Sequence, residues 1–189
     1  MALIGVDLGG TKVRAGLVEG DQLVKMAERG IRSTGTEEEV LSDLAAVLDE
    51  VFSLEVEGLG LGIPSIVDLE TGVIYDVQNI PAWREVPLKR ILEARYQVPV
   101  YINNDANCFA VGEKYFGHGR SYNNFVGLII GTGLGAGLII NDRLYSGPNC
   151  GAGEFGMLPY LEANFERYAS GQFFVKSYGY AGKEFYQQA

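Results

Sequence analysis

Moved along itself by 121 positions without a gap, the chain matches its own opening. Gly10, Thr11, Ala15, Gly16, Leu17, Asp21 and Leu23 fall on Gly131, Thr132, Ala136, Gly137, Leu138, Asp142 and Leu144, and Val18 falls on Ile139. Seven identities and one conservative match lie within 14 positions. Each copy reads as an apolar strand, a Gly-Thr tip and a returning strand. Shared hairpin chemistry, rich in Gly and Leu, produces some matching by itself. The Gly-Thr pair at both tips, with both return strands in register, favours an internal duplication. A chain built this way is expected to fold into two like domains facing each other across a cleft, one tip from each pointing in. The copies differ at one place: Asp7 falls on Leu128, so the carboxylate belongs to the first copy alone.

The rest of the chain alternates strand and helix patterns. Ala2 to Val6, Val13 to Val18 and Gln22 to Ala27 read as a strand meander. Thr36 with Glu39 three residues on is a capping-box signature. Behind it Val40, Leu41, Leu44, Val47, Leu48, Val51 and Phe52 fall at helical spacing, which predicts an amphipathic helix over 37–53. Val56 to Ile63 is a glycine-interrupted strand ending at Pro64. A hairpin follows around Thr71-Gly72. Pro87 opens a short helix through Arg95, and 98–102 is a further strand. "NNDANCFAVGEKYFG" starts a helix capped by Asn104 or Asp105. Strands at 125–130 and 135–140 flank "GTGLG", and helical signals return near Phe165 and Lys183. The order predicts an α/β domain with a mixed sheet, with domains spanning 1–117 and 118–189.

Composition narrows the partners. The 189 residues hold one domain or two small ones and carry a net charge of −9. That charge argues against nucleic acid, whose binders concentrate positive charge. No apolar run reaches the ~18–20 residues of a membrane span, and no signal core follows the N-terminus. Two cysteines, Cys108 and Cys150, make no disulfide framework. The expected compartment is the reducing cytoplasm.

The tips carry the chemistry. Backbone N–H groups at Gly9, Gly10, Gly131 and Gly133 suit an anionic phosphate chain. Thr11 and Thr132 add hydroxyls and Lys12 a positive charge. Asp7 would repel a phosphate, unless Mg²⁺ bridges the two. A Mg–nucleotide clamp therefore explains Asp7, Gly9–Lys12 and Gly131–Gly133 together. Read separately, each tip is equally a tight turn, with Asp7 solvated.

"DLGGTK", "NNDANCFAVGE", "GTGLGAGLIIN" and "SGPNCGAGEFG" resemble, in order, the motifs of the ROK family of sugar kinases, within the actin-like ATPase superfamily. The resemblance runs from residue 4 to roughly 175. It implies two ribonuclease-H-like domains, here with the second incomplete, and ATP-dependent phosphorylation of a hexose or amino-sugar hydroxyl with Mg²⁺. By resemblance Asp105 is the general base and Asn104 a sugar contact, although Asn-Asp at a helix start is also an ordinary N-cap. Glu154 and Glu166 match sugar-gripping glutamates. Glu166 also reads as a solvated helix carboxylate. Asn79 is a candidate cleft residue, and Trp83 reads as packing.

Three departures stand out. Many members hold a structural zinc with one His and three Cys; here Met157 takes the His position and no Cys lies between Met157 and Tyr168, so no zinc is expected. Ser65 stands where the family has Gly. The family also continues well past residue 189, so the chain reads as a fragment or a short relative. It is expected to bind a hexose weakly and to turn over little by itself. The exposed edges of an incomplete second domain favour self-association. The alternatives are a sugar-sensing module without catalysis and an actin-like filament subunit. A repressor carries a helix-turn-helix ahead of this hairpin, and Met1 lies only six residues from Asp7.

Overall fold

The structure, a computed structural model, describes residues 1–147 and 150–188. Pro148, Asn149 and Ala189, which the motifs and domain ranges include, lie outside the described residues. The chain forms two compact units, Met1–Asp105 and Ala106–Ala189.

In the first unit, β1 (Ala2–Leu8), β2 (Lys12–Glu19) and β3 (Gln22–Gly30) form the meander. The helix α1 (Glu37–Val51) follows, then β4 (Val56–Ile63). A small sheet of β5 (Ile66–Val67), β6 (Ile74–Tyr75) and β7 (Glu85–Val86) precedes α2 (Leu88–Tyr96) and β8 (Val100–Asn104). The main sheet runs β3-β2-β1-β4-β8, with β1, β4 and β8 mutually parallel and the β1–β2–β3 meander antiparallel. The mixed sheet is therefore as expected. Period-two alternation buries Ala2, Ile4, Val6 and Leu8 of β1 and turns Leu3, Gly5 and Asp7 outward. The capping box forms: Thr36 Oγ1 accepts the Glu39 N–H, and Glu39 Oε2 accepts the Thr36 N–H. The apolar stripe of α1, Val40, Leu44, Val47, Leu48 and Val51, is buried throughout, against the antiparallel side of the sheet. Trp83 is buried as packing, its Nε1–H donating to the Glu37 carbonyl.

In the second unit, α3 (Asp105–Tyr115), which starts on the last residue of the first unit, leads to β9 (Phe125–Ile130), β10 (Leu134–Ile140) and β11 (Arg143–Tyr145) in the order β11-β10-β9. Next come the hairpin β12 (Pro159–Tyr160) and β13 (Ala163–Asn164), then α4 (Phe165–Ala169), α5 (Gln172–Tyr178) and α6 (Gly182–Gln188). The units divide at 105/106, ahead of the expected 117/118. The reason is close packing. A Cβ placed on Gly137 would lie 2.6 Å from Ala110 Cβ and from the Ala106 carbonyl, and one on Gly127 would lie 3.2 Å from Ala110 Cβ. Buried Ala106 and Ala110 seat α3 directly on this sheet.

The duplication needs one adjustment. β1 and β2 last pair at Leu8 and Val13, β9 and β10 at Ile130 and Leu134, so the second tip is one residue shorter. Asp7 pairs with Arg14 and Ile129 with Gly135, so the counterpart of Asp7 is Ile129 rather than Leu128. The second copy still lacks the carboxylate. Among the described residues, no helix is long and apolar enough to cross a membrane.

Candidate active site

In the first unit the C-terminal ends of three parallel strands meet, the usual place for a ligand in an open α/β sheet. Asp7, Gly62 and Asn103 stand in one row across β1, β4 and β8, and Ile63 pairs with Asn104 in the next. The hairpin tip is closed by the Gly9 N–H donating to the Lys12 carbonyl at 2.9 Å. The Pro64 carbonyl accepts from the Gln78 N–H at 3.0 Å, which ties the loop carrying Asn79 to the end of β4. Asn79 takes a left-handed backbone, φ 64°, tolerated by Asn. Its side chain lies against the hairpin tip: a Cβ on Gly10 would sit 2.6 Å from Asn79 Cβ. Asn104 Nδ2 donates to the Ser65 carbonyl at 3.5 Å, and its N–H donates to Asn103 Oδ1 at 2.8 Å. Asp105 follows as the first residue of α3. The structure thus gathers Asp7, Gly9, Gly10, Thr11, Asn79, Asn104 and Asp105 at one edge of one unit.

Lys12 carries an unexpected partner. Its Nζ lies 2.6 Å from Glu28 Oε1, and Arg14 Nε donates to the other oxygen of the same carboxylate. Asp7, Arg14 and Glu28 pair in register across β1, β2 and β3. Hydrogen bonds from Lys12 and then Arg14 hold the Glu28 carboxyl down to about 2. Ser65 is the other residue the sequence reading did not place: its Oγ is buried without a hydrogen-bond partner. The signal in the sequence was a serine directly after Pro64, where the resemblance implies glycine.

In the second unit the Gly131–Gly133 tip closes through the Gly131 N–H and Gly133 carbonyl at 3.0 Å, and Gly131 and Thr132 are exposed. Glu166, at the start of α4, reaches this tip. Its Oε2 accepts the Leu134 N–H at 2.9 Å, and its Oε1 accepts from Gln172 Nε2 at 2.6 Å. Ser170 Oγ, buried, lies 2.6 Å from the Glu166 carbonyl and 3.1 Å from the Thr132 carbonyl. The Gly171 N–H donates to the Gly131 carbonyl at 2.7 Å. Glu154 is exposed and follows Gly153, whose backbone is left-handed at φ 98° and whose missing side chain lets the segment lie on the β10 carbonyl of Ala136. Asn164 Nδ2 lies 3.8 Å from Met157 Sδ, and Tyr160 stacks on Phe165 with ring centroids 4.7 Å apart.

The ROK family model matches residues 3–188. The chain belongs to the ROK family. Among curated relatives, the Thermotoga maritima glucokinase is 37% identical over 158 residues, covering 82% of this chain and 50% of that protein. A putative xylose repressor from Caldicellulosiruptor sp. is 33% identical over 168 residues, covering 82% and 40%. Among solved structures, a ROK glucokinase from Streptomyces griseus in complex with glucose and AMPPNP matches with a TM-score of 0.82 at 32% identity, covering 93% of this chain and 59% of that one. The chain spans about half the length of the curated relatives it matches. The α/β fold with its mixed sheet is the ribonuclease-H-like, actin-like ATPase fold of ROK sugar kinases.

Proposed function

We propose that this chain supplies the acceptor site and two phosphate-facing tips for ATP-dependent phosphorylation of a hexose or amino-sugar hydroxyl. Asn79 and Asn104 are the sugar contacts of the first unit, and Glu154 and Glu166 are the sugar-contact candidates of the second. Asp105 accepts the proton of the attacking hydroxyl as its oxygen bonds to the γ-phosphorus and ADP leaves. Its place at the junction of β8 and α3 fixes its backbone, so the base needs little reorganisation. The Gly9 and Gly131 N–H groups are held within the tips by the Lys12 and Gly133 carbonyls, so the phosphate donors of Gly9–Lys12 and Gly131–Gly133 are the other backbone N–H groups of each tip.

Asp7 is the residue that would hold Mg²⁺; among the described residues no group of three or more His, Cys, Asp or Glu is placed to bind a metal ion by itself. Asp7 is an exposed carboxylate beside an N–H-rich tip, and Mg²⁺ takes one or two carboxylates, water and phosphate oxygens. Asp7 would hold the ion, which would neutralise phosphate charge.

The observation that most supports this reading is the gathering of Gly10, Asn79, Asn104 and Asp105 at the parallel-strand ends of one unit. The test is Asp105→Asn in the active protein, assayed by coupled ADP release over a hexose panel. Transfer should fall by at least ~10², with sugar affinity unchanged within a few-fold. Near-normal turnover removes Asp105 from the mechanism. The relative named as a repressor favours a second reading, a sugar-sensing module without catalysis. Saturable hexose binding with no hexose-dependent ADP release would select it.

A further inference from the structure

We infer that Glu166 is a positioning residue for the Gly131–Gly133 tip, setting its affinity for nucleotide phosphates in addition to any contact with sugar. The inference rests on the proposed phosphate role of that tip. Both oxygens of the Glu166 carboxylate are engaged by its own unit: Oε2 by the Leu134 N–H, the first amide after the tip, and Oε1 by Gln172 Nε2. A Cβ on Gly133 would sit 2.6 Å from Glu166 Oε2, so the carboxylate lies directly against the tip backbone. The segment that follows Glu166 completes the support. Ser170 Oγ reaches the Thr132 carbonyl, and the Gly171 N–H holds the Gly131 carbonyl. Glu166, Ser170 and Gly171 therefore touch Leu134, Thr132 and Gly131 in turn. With those carbonyls and the Leu134 amide tied behind the tip, its conformation is fixed before a phosphate arrives. Fixing it beforehand removes an ordering cost from binding.

The chemistry separates this task from gripping a sugar. Glu166→Gln keeps an oxygen for the Leu134 N–H, and its new amide donates to Gln172 Oε1 once the Gln172 amide turns over. Glu166→Ala removes both bonds. Hydrogen exchange at the Leu134 amide and titration with Mg–AMPPNP read the brace; titration with hexose reads the sugar contact. In Glu166→Ala, Leu134 exchange should rise about 10- to 100-fold, the loss of one charge-assisted hydrogen bond. AMPPNP affinity should drop by about 10-fold. In Glu166→Gln, both should stay within a few-fold of wild type, while a sugar contact that needs the charge weakens. Ser170→Ala should move AMPPNP affinity in the same direction as Glu166→Ala by a smaller factor. Wild-type AMPPNP affinity in Glu166→Ala, with Leu134 exchange unchanged, overturns the inference. So does equal loss of AMPPNP affinity in both Glu166 variants. If wild-type protein binds no AMPPNP, the phosphate reading of the tip falls and the inference falls with it, even where Leu134 exchange still reports the brace.

Discussion

Gly137→Ala tests whether α3 sits on the second sheet as closely as the backbone shows. The added methyl would lie 2.6 Å from the Ala106 carbonyl oxygen, 2.6 Å from Ala110 Cβ and 3.1 Å from Asn107 Cα. Ordinary carbon contacts lie near ~3.5–4.0 Å, so the helix must retreat by roughly 1 Å. None of those atoms belongs to a flexible side-chain end, and Ala106 and Ala110 are buried at 4% and 0% exposure. Overpacking of this kind costs about 1–3 kcal/mol. With a urea m-value of about 1–3 kcal/mol/M, the unfolding midpoint followed by far-UV circular dichroism should fall by roughly 1 M. Gly5→Ala is the matched control on an open strand position, since a Cβ there meets nothing within 4 Å. It should be neutral or stabilising by under about 1 kcal/mol. The helix that would retreat begins at Asp105, so the same variant should also lower any activity of the site. Equal midpoints for wild type and Gly137→Ala would refute the close packing of α3 and with it the division at 105/106.

Three further outcomes follow from the first unit. Gly10→Ala should push Asn79 off the hairpin tip, because the new Cβ would lie 2.6 Å from Asn79 Cβ; hexose titration should show weaker binding with the fold intact by circular dichroism. Ser65→Ala removes a buried hydroxyl with no partner and should stabilise the chain by about 1 kcal/mol in thermal unfolding; a loss of stability would mean the hydroxyl is paired. The Glu28 carboxyl should titrate near 2 by carboxyl-resolved NMR, against an ordinary 4.5, because Lys12 and Arg14 hold it ionised. A folded value below the unfolded one gives stability that is complete above pH 4.5 and is lost as pH falls toward 2. The pair is exposed, so the loss is small, and a titration midpoint at the ordinary value would break the Lys12–Glu28–Arg14 cluster.

The parts of the fold legible in the chain are those governed by local chemistry. Thr36 and Glu39 announce α1, alternation announces β1 and β4, and Thr71-Gly72 announces the turn between β5 and β6. What local pattern does not hold is pairing. β8 ends at Asn104 rather than 102 because its register follows β4, with Ile63 opposite Asn104. Gly127 and Gly137 make room for Ala106 and Ala110, a requirement that a window along one strand does not reveal. The shorter second tip is likewise a register effect, invisible to an ungapped match. α5 and the β12–β13 hairpin carry too few residues for periodicity to show. At the site, Asn104 and Asp105 stand out by motif and Asn79 as a candidate cleft residue, and the structure adds Ser65 and Asn103 as hydrogen-bond partners of Asn104. Glu28 and Gln172 are ordinary polar residues until Lys12 and Glu166 are seen to touch them.

In the proposed function, sugar is held in the first unit at the ends of β1, β4 and β8. Ligand-observed NMR of the 189-residue chain with a panel of hexoses and N-acetyl amino sugars tests it most directly. Saturable binding of at least one sugar is expected in the millimolar range (about −4 kcal/mol), lost in Asn104→Ala and retained in Asp105→Asn. No saturable binding across the panel, or binding that Asn104→Ala leaves untouched, would contradict it.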